Sequence, residues 1–132
     1  MKTSFIRVLK SGDETALEAF LMPRVESSMF VIGNLRSVGI VDNGQIYHGT
    51  YSAKFEDDNI VGAVAHYWNY NLVLQAQTDL MALCREVVKG SGRPIKVIIG
   101  PNSQVQFVKN ALEIDKSNIQ MDETERRKRN ER

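Results

Sequence analysis

The stretch "NLVLQAQTDLMALCREVV", residues 71–88, decides the fold. It opens on the apolar triplet Leu72, Val73 and Leu74, crosses the polar turn Gln75-Ala76-Gln77-Thr78-Asp79, and then places Leu80, Leu83, Cys84, Val87 and Val88 at helical spacing. That i, i+3, i+4, i+7, i+8 pattern predicts a half-buried helix, and the short apolar run before it predicts a strand. Gly90-Ser91-Gly92 should close the helix, and "PIKVIIG" at 94–100 predicts a second strand. A strand, helix and strand of this length favour a right-handed crossover to a parallel neighbour. The junction also offers the free N–H groups of a helix start, where phosphates are commonly held.

Working outward, residues 50–56 alternate in polarity, Asp57-Asp58-Asn59 makes a tight turn, and residues 60–66 form another apolar run. A second turn at Asn69-Tyr70-Asn71 leads into Leu72, which predicts a three-stranded antiparallel meander feeding the crossover. Near the start, residues 5–9 alternate as a strand. Ser11 and Glu14 have capping-box spacing for a helix carrying Leu17, Phe20 and Leu21, which Pro23 should end. Ser27 or Ser28 is positioned to cap a second helix with Val31, Leu35 and Val38 on one face and Gly39 at its end. Residues 41–45 are rich in turn formers and read as a surface connection. Asn102 or Ser103 can cap a last helix bearing Val105, Val108 and Leu112. Beyond Ile114 the apolar pattern stops, so residues 1–114 read as one domain and 115–132 as a charged tail, disordered or frayed.

A chain of 132 residues suits a single domain. With 42% hydrophobic residues, 25% charged residues and a formal net charge of +1, it carries no global pull toward nucleic acid. The cluster Arg126-Arg127-Lys128-Arg129 is flanked by Glu123, Glu125 and Glu131 and reads as solvated. One cysteine permits no disulfide within the chain. Neither a secretory leader nor an apolar run of spanning length is expected, so the sequence reads as a cytoplasmic protein.

The order β, α, α, β, β, β, α, β, α resembles that of the GNAT N-acetyltransferase superfamily without its closing strands, an α+β fold with a mixed sheet flanked by helices. More closely, "SSMFVIGNLRSVGI", "HGTYSAKFEDDNIVGAVAHYWNYNLVLQAQ" and "GRPIKVIIGPNSQV" resemble the amino-terminal domain of two-domain bacterial GNAT proteins. In such proteins a second, carboxy-terminal GNAT domain resembles the complete catalyst.

The resemblance implies that Leu72, Val73 and Leu74 would present backbone groups to the pantetheine of acetyl-CoA or CoA. It also implies that Gln75, Ala76, Gln77 and Thr78 would form the phosphate turn. Gln75 matches the first position of the Gln/Arg-x-x-Gly-x-Gly/Ala signature, whereas Thr78 and Leu80 stand where small residues belong. Asp79 adds a carboxylate to the first helical turn, where it stabilises an empty helix and repels phosphate. Thr78 or Asp79 therefore reads as an ordinary cap.

The tyrosine that would protonate a leaving thiolate is replaced by Phe107, and Glu56, Asp57 and Asp58 read as turn formers. Residues 66–71, "HYWNYN", form an aromatic hairpin end expected to pack on the first two helices, or else to offer a contact surface. His48 and His66 match no metal-binding spacing, and Cys84 lies on an apolar helix face. No metal site and no catalytic residue is assigned.

The expected function is a noncatalytic GNAT-like domain, an interface or substrate-cleft module beside a catalytic GNAT domain. One alternative is a small N-acyltransferase using the gap between residues 72–74 and 95–99. Another is a homodimeric scaffold binding a small molecule at the aromatic hairpin. An unpaired sheet edge invites self-association or a protein partner. Neither a nucleic acid nor a membrane is expected as a partner.

Overall fold

A computed structural model describes residues 3–114, so the tail expected over 115–132 lies outside the described residues. The elements are β1 (Ser4–Val8), α1 (Glu14–Leu21), a single 3₁₀ turn (Met22–Arg24), α2 (Val25–Val38), β2 (Gly49–Glu56), β3 (Asn59–Tyr67), β4 (Asn71–Gln75), α3 (Leu80–Ser91), β5 (Val97–Ile99) and α4 (Asn102–Ile114). The sheet order is β1-β2-β3-β4-β5, antiparallel through β4 and parallel between β4 and β5. This is the α+β arrangement expected from the sequence, a mixed sheet flanked by helices.

Strand periodicity sorts the core into two layers. Tyr51, Ala53 and Phe55 of β2, Ala63, Ala65 and Tyr67 of β3, and Val73 of β4 pack with Leu17, Phe20 and Leu21 of α1 and Val31, Ile32 and Leu35 of α2. The alternate residues Val64, Leu72 and Leu74 pack with Leu80, Leu83, Cys84 and Val87 of α3 and Val108 and Leu112 of α4. The helical stripe at 80–88 thus faces the sheet as its spacing predicts.

Helix starts depart from the sequence reading. Ser11 caps nothing: α1 begins at Glu14 with Asp13 at the cap position. The Asp13 carboxylate accepts both Arg7 guanidinium N–H groups, at 2.7 and 3.0 Å, and the Lys10 N–H at 2.8 Å, while Glu14 accepts from the Gly12 N–H at 2.8 Å. The Arg7 hydrogen bond holds the Asp13 carboxyl below its ordinary range. Nor does Ser27 or Ser28 start α2, which begins at Val25 behind a 3₁₀ turn that accommodates Pro23 in its first residues, where no N–H is needed. Ser28 is buried and its hydroxyl donates to Gln75 Oε1 at 3.2 Å. Asn102 and Ser103 are first-turn residues of α4, and the Val105 N–H reaches the Pro101 carbonyl at 3.0 Å.

The strand expected over 94–100 shortens to Val97–Ile99 because Ile95 turns into the core below α3. Gly90 and Ser91 belong to α3, and Gly92 alone closes it, at φ 68° with its N–H on the Val88 carbonyl. Gly39 ends α2 as expected, at φ 80°.

At the sheet end near the aromatic turn, Gly49 pairs with Tyr67 so closely that a Cβ there would stand 2.5 Å from the tyrosine Cδ1. Tyr67 is fully buried and cannot swing away. Gly49→Ala is expected to lower stability by about 1–3 kcal/mol through overpacking, read as a reduced denaturation midpoint with an unchanged slope.

Candidate functional site

Beyond Val73 and Ile99 the ladder between β4 and β5 ends. Gly100 then passes so close to β4 that a Cβ on it would lie 2.9 Å from the Leu74 carbonyl oxygen. From this junction the chain enters α4, while β4 leads through its own turn into α3. Between the two helix starts opens a cavity of about 720 Å³. Gln75, Ala76, Gln77 and Asp79 line it from the turn, Leu80, Met81, Ala82 and Arg85 from α3, and Pro101, Ser103, Gln104 and Phe107 from the α4 side. Two helix N-termini converge on one space, and each carries N–H groups beyond the reach of its own helical hydrogen bonds.

The turn does not behave as an ordinary cap. Asp79 occupies the cap position of α3 at φ 55°, yet its side chain makes no cap hydrogen bond. Its carboxylate instead meets Lys54 Nζ of β2 at 3.0 Å, and the same ammonium donates to Thr78 Oγ1 at 3.2 Å. Lys54 thus draws both expected caps away from the helix axis, and the first N–H groups of α3 have no side-chain cap. This corrects the expectation that Thr78 or Asp79 caps the helix.

The gap expected between residues 72–74 and 95–99 is closed by strand pairing. Asn71, Leu72 and Val73 pair directly with Val97, Ile98 and Ile99, and the side chains of Leu72, Val73 and Leu74 are buried. The opening lies one step further, at Gln75, Ala76 and Gln77. There Gln104 Oε1 accepts the Ala76 N–H at 3.0 Å, so a side chain of α4 already satisfies the strand-end donor. Phe107, in the next turn of α4, is 55% exposed and presents its ring to the cavity. Of the residues assigned by sequence, Gln75, Ala76 and Gln77 line the space, and Thr78 stands beside it on Lys54.

Arg85 and Gln104 were not singled out in the sequence, and Ser103 was read only as a helix cap. Arg85 lies one turn and a half into α3, on the side that also carries Met81. Gln104 follows a Gly-Pro turn in the first turn of the next helix. No local pattern announces that these two turns meet.

The remaining candidates are structural. His66 is fully buried and its Nε2–H donates to the Pro94 carbonyl at 3.0 Å, leaving Nδ1 to accept the Ser91 hydroxyl at 2.7 Å. Burial is the main cause that brings its pKa down to about 4. Beside it, Arg93 makes two hydrogen bonds to Asp42, at 2.7 and 2.9 Å, and a third to the His66 carbonyl at 3.2 Å. Burial alone would raise Asp42, but hydrogen bonds from Arg93, Thr50 and Gly44 outweigh it and set the pKa at about 2. His48 Nδ1 accepts the Asn43 N–H. Cys84 is buried, which pushes its thiol up to about 12 and makes it a core residue. Tyr67 packs edge-on against Phe30 of α2 and Tyr51 of β2, so at this ring the aromatic turn does pack on the helical layer. Asp57 sits at φ 57° in the β2–β3 turn, as a turn former should.

Among the described residues no group of three His, Cys, Asp or Glu side chains could hold a metal ion. No helix among them is long and apolar enough to cross a membrane.

No protein-family model matches the chain, and no curated protein matches it. Among solved structures, it is similar to the crystal structure of a ribosomal-protein-alanine N-acetyltransferase from Brucella melitensis biovar Abortus 2308. The two are 12% identical with a TM-score of 0.44, over 75% of this chain and 81% of that one.

The buried histidine gives a test in acid. Because the folded pKa of about 4 lies below the ordinary histidine value of 6.5, the unfolded chain binds more protons between those values. Stability is therefore complete above pH 6.5 and should fall by up to ~1.4 kcal/mol per pH unit as pH drops toward 4. Asp42 begins to contribute its own loss only below its ordinary range. Urea midpoints measured from pH 7 to 4 should decline in the parent chain and decline less in His66→Gln. Equal midpoints for the parent at both ends would refute the assignment.

Proposed function

We propose that this chain is an acetyltransferase-like domain of the GNAT type that receives the phosphate-bearing part of a CoA-type ligand without carrying out acyl transfer. In this reading it works as an interface or substrate-cleft module beside a catalytic GNAT domain, as the amino-terminal domains of two-domain bacterial GNAT proteins are arranged. The element order and the cavity at the β4–α3 turn support the family resemblance. The N–H groups of two helix starts, that of α3 without a side-chain cap, with the Arg85 guanidinium alongside, suit pyrophosphate oxygens.

The observation that carries the noncatalytic half is the Gln104–Ala76 hydrogen bond. A thioester arm laid along β4 would need that backbone donor, and displacing Gln104 leaves its amide to be satisfied elsewhere. The Phe107 ring at the same mouth has no proton to give. These two groups support binding without transfer, and turnover of acetyl-CoA with an amine would instead establish the acyltransferase alternative.

Titration of the full chain with CoA and acetyl-CoA, read by calorimetry and amide NMR, separates the two. Equal affinity for both ligands, shifts at residues 75–82 and at the α4 start, 102–104, and no acetylated amine are expected. Asp79→Gly should bind CoA more tightly, since glycine accepts the positive φ and Lys54 is freed toward the anion. Gln104→Ala should add up to about tenfold, the worth of one net hydrogen bond. Absence of saturation by either ligand at millimolar concentration would remove the phosphate reading.

A homodimeric or partner-docked form is favoured by one further observation. Among the described residues nothing pairs with the outer edge of β5, whose Val97 and Ile99 are 47% and 42% exposed. An apolar strand edge of this kind is usually covered. Sedimentation should show association that rises with concentration or on adding a catalytic GNAT domain, and a monomer at every concentration and mixture would count against it.

A further inference from the structure

A second cavity, of about 320 Å³, lies along α3 beyond the first and is bounded by both α3 and α4. Its floor is apolar: Met81, Cys84 and Val88 from α3, Ile95 from the segment before β5, and Leu112 from α4. Its rim carries two exposed cations, Arg85 and Lys89. Neither forms an ion pair among the described residues. They stand four residues apart on one helix, a like-charged spacing that repels itself and that an anion between them would relieve.

The volume falls at the lower end of the range for small-molecule sites, and apolar walls with a few charged groups at one end are the usual composition of such sites. At roughly 30 Å³ per group, about the share of one water molecule, the space holds on the order of ten methylenes. We propose that this groove binds an anionic amphiphile, an aliphatic chain of about ten carbons whose carboxylate is held between Arg85 and Lys89. The chain leaves water for the Val88, Ile95 and Leu112 surface, which supplies the attraction, and charge-assisted hydrogen bonds fix its orientation. The groove shares Met81 and Arg85 with the first cavity, but the assignment does not rest on the phosphate reading, because its ligand carries no phosphate and its Val88, Ile95 and Leu112 surface lies outside that cavity.

Decanoate below its micellar concentration, titrated into the full chain and followed by calorimetry and methyl NMR, tests the assignment. Acetate serves as a head without a chain, and decanol as a chain without a charge. Saturable decanoate binding that moves the Val88, Ile95 and Leu112 methyls is expected, with acetate inert. Arg85→Gln with Lys89→Gln should weaken decanoate at least tenfold and leave decanol unchanged, and Val88→Trp should abolish the methyl shifts by filling the groove. No saturation at millimolar decanoate overturns the proposal, as does decanol binding as tightly as decanoate, or binding that shifts methyls outside the groove. The CoA titration is read at amides 75–80 and the decanoate titration at the Val88, Ile95 and Leu112 methyls, residues that border one cavity and not the other, so either site can fail without the other.

Discussion

Burial of the central strands on both faces is the constraint from which the remaining structure follows. An antiparallel sheet usually keeps one face in water, but β2, β3 and β4 have helices on each side. Their polar groups must then find partners inside. Ser52 donates to the Leu83 carbonyl at 2.8 Å, Tyr51 and Tyr67 share a hydroxyl contact at 3.1 Å, and His66 spans Ser91 and Pro94. Each contact ties a strand to a specific helix or to its neighbour, so polar satisfaction and register reinforce each other.

The cavity arises where this double coverage ends. β4 and β5 stay in register through Val73 and Ile99 and then lead into helices that start side by side. A helix start cannot satisfy its own N–H groups, and two of them facing one space concentrate positive potential there. Lys54 adds to this by drawing Asp79 off the helix axis, although Asp79 remains half exposed and its carboxylate still borders the cavity. The site therefore balances an attractive pair of helix dipoles against one displaced negative charge.

The elements themselves were legible in the sequence because periodicity needs only the residues of one segment. Leu80 to Val88 showed its buried stripe, and residues 50–74 showed their meander, since hydrophobic spacing determines which face turns inward. Helix starts were not legible to the same degree. Asp13 is held by Arg7, Ser28 by Gln75 and Asp79 by Lys54, and each partner lies in another element. Sequence shows that a side chain is able to cap; it does not show which distant group competes for it. The cavity was half legible: Gln75, Ala76 and Gln77 followed from the strand-to-helix turn, whereas Gln104 reaches Ala76 across 28 residues. The short strand edge at Val97–Ile99 was overestimated because apolar content alone does not distinguish a strand from a segment that dips into the core at Ile95.

The single tryptophan has a spectroscopic consequence. Trp68 meets Tyr47 edge-on at 4.9 Å between ring centroids, which joins the end of β3 to the connection before β2. That contact lies at the entry of β4, while the cavity lies at its exit, roughly 17 Å away along a five-residue strand. Indole emission is therefore a reporter of how the 39–48 connection docks on the sheet, and ligands held at the helix starts would leave it dark to their arrival.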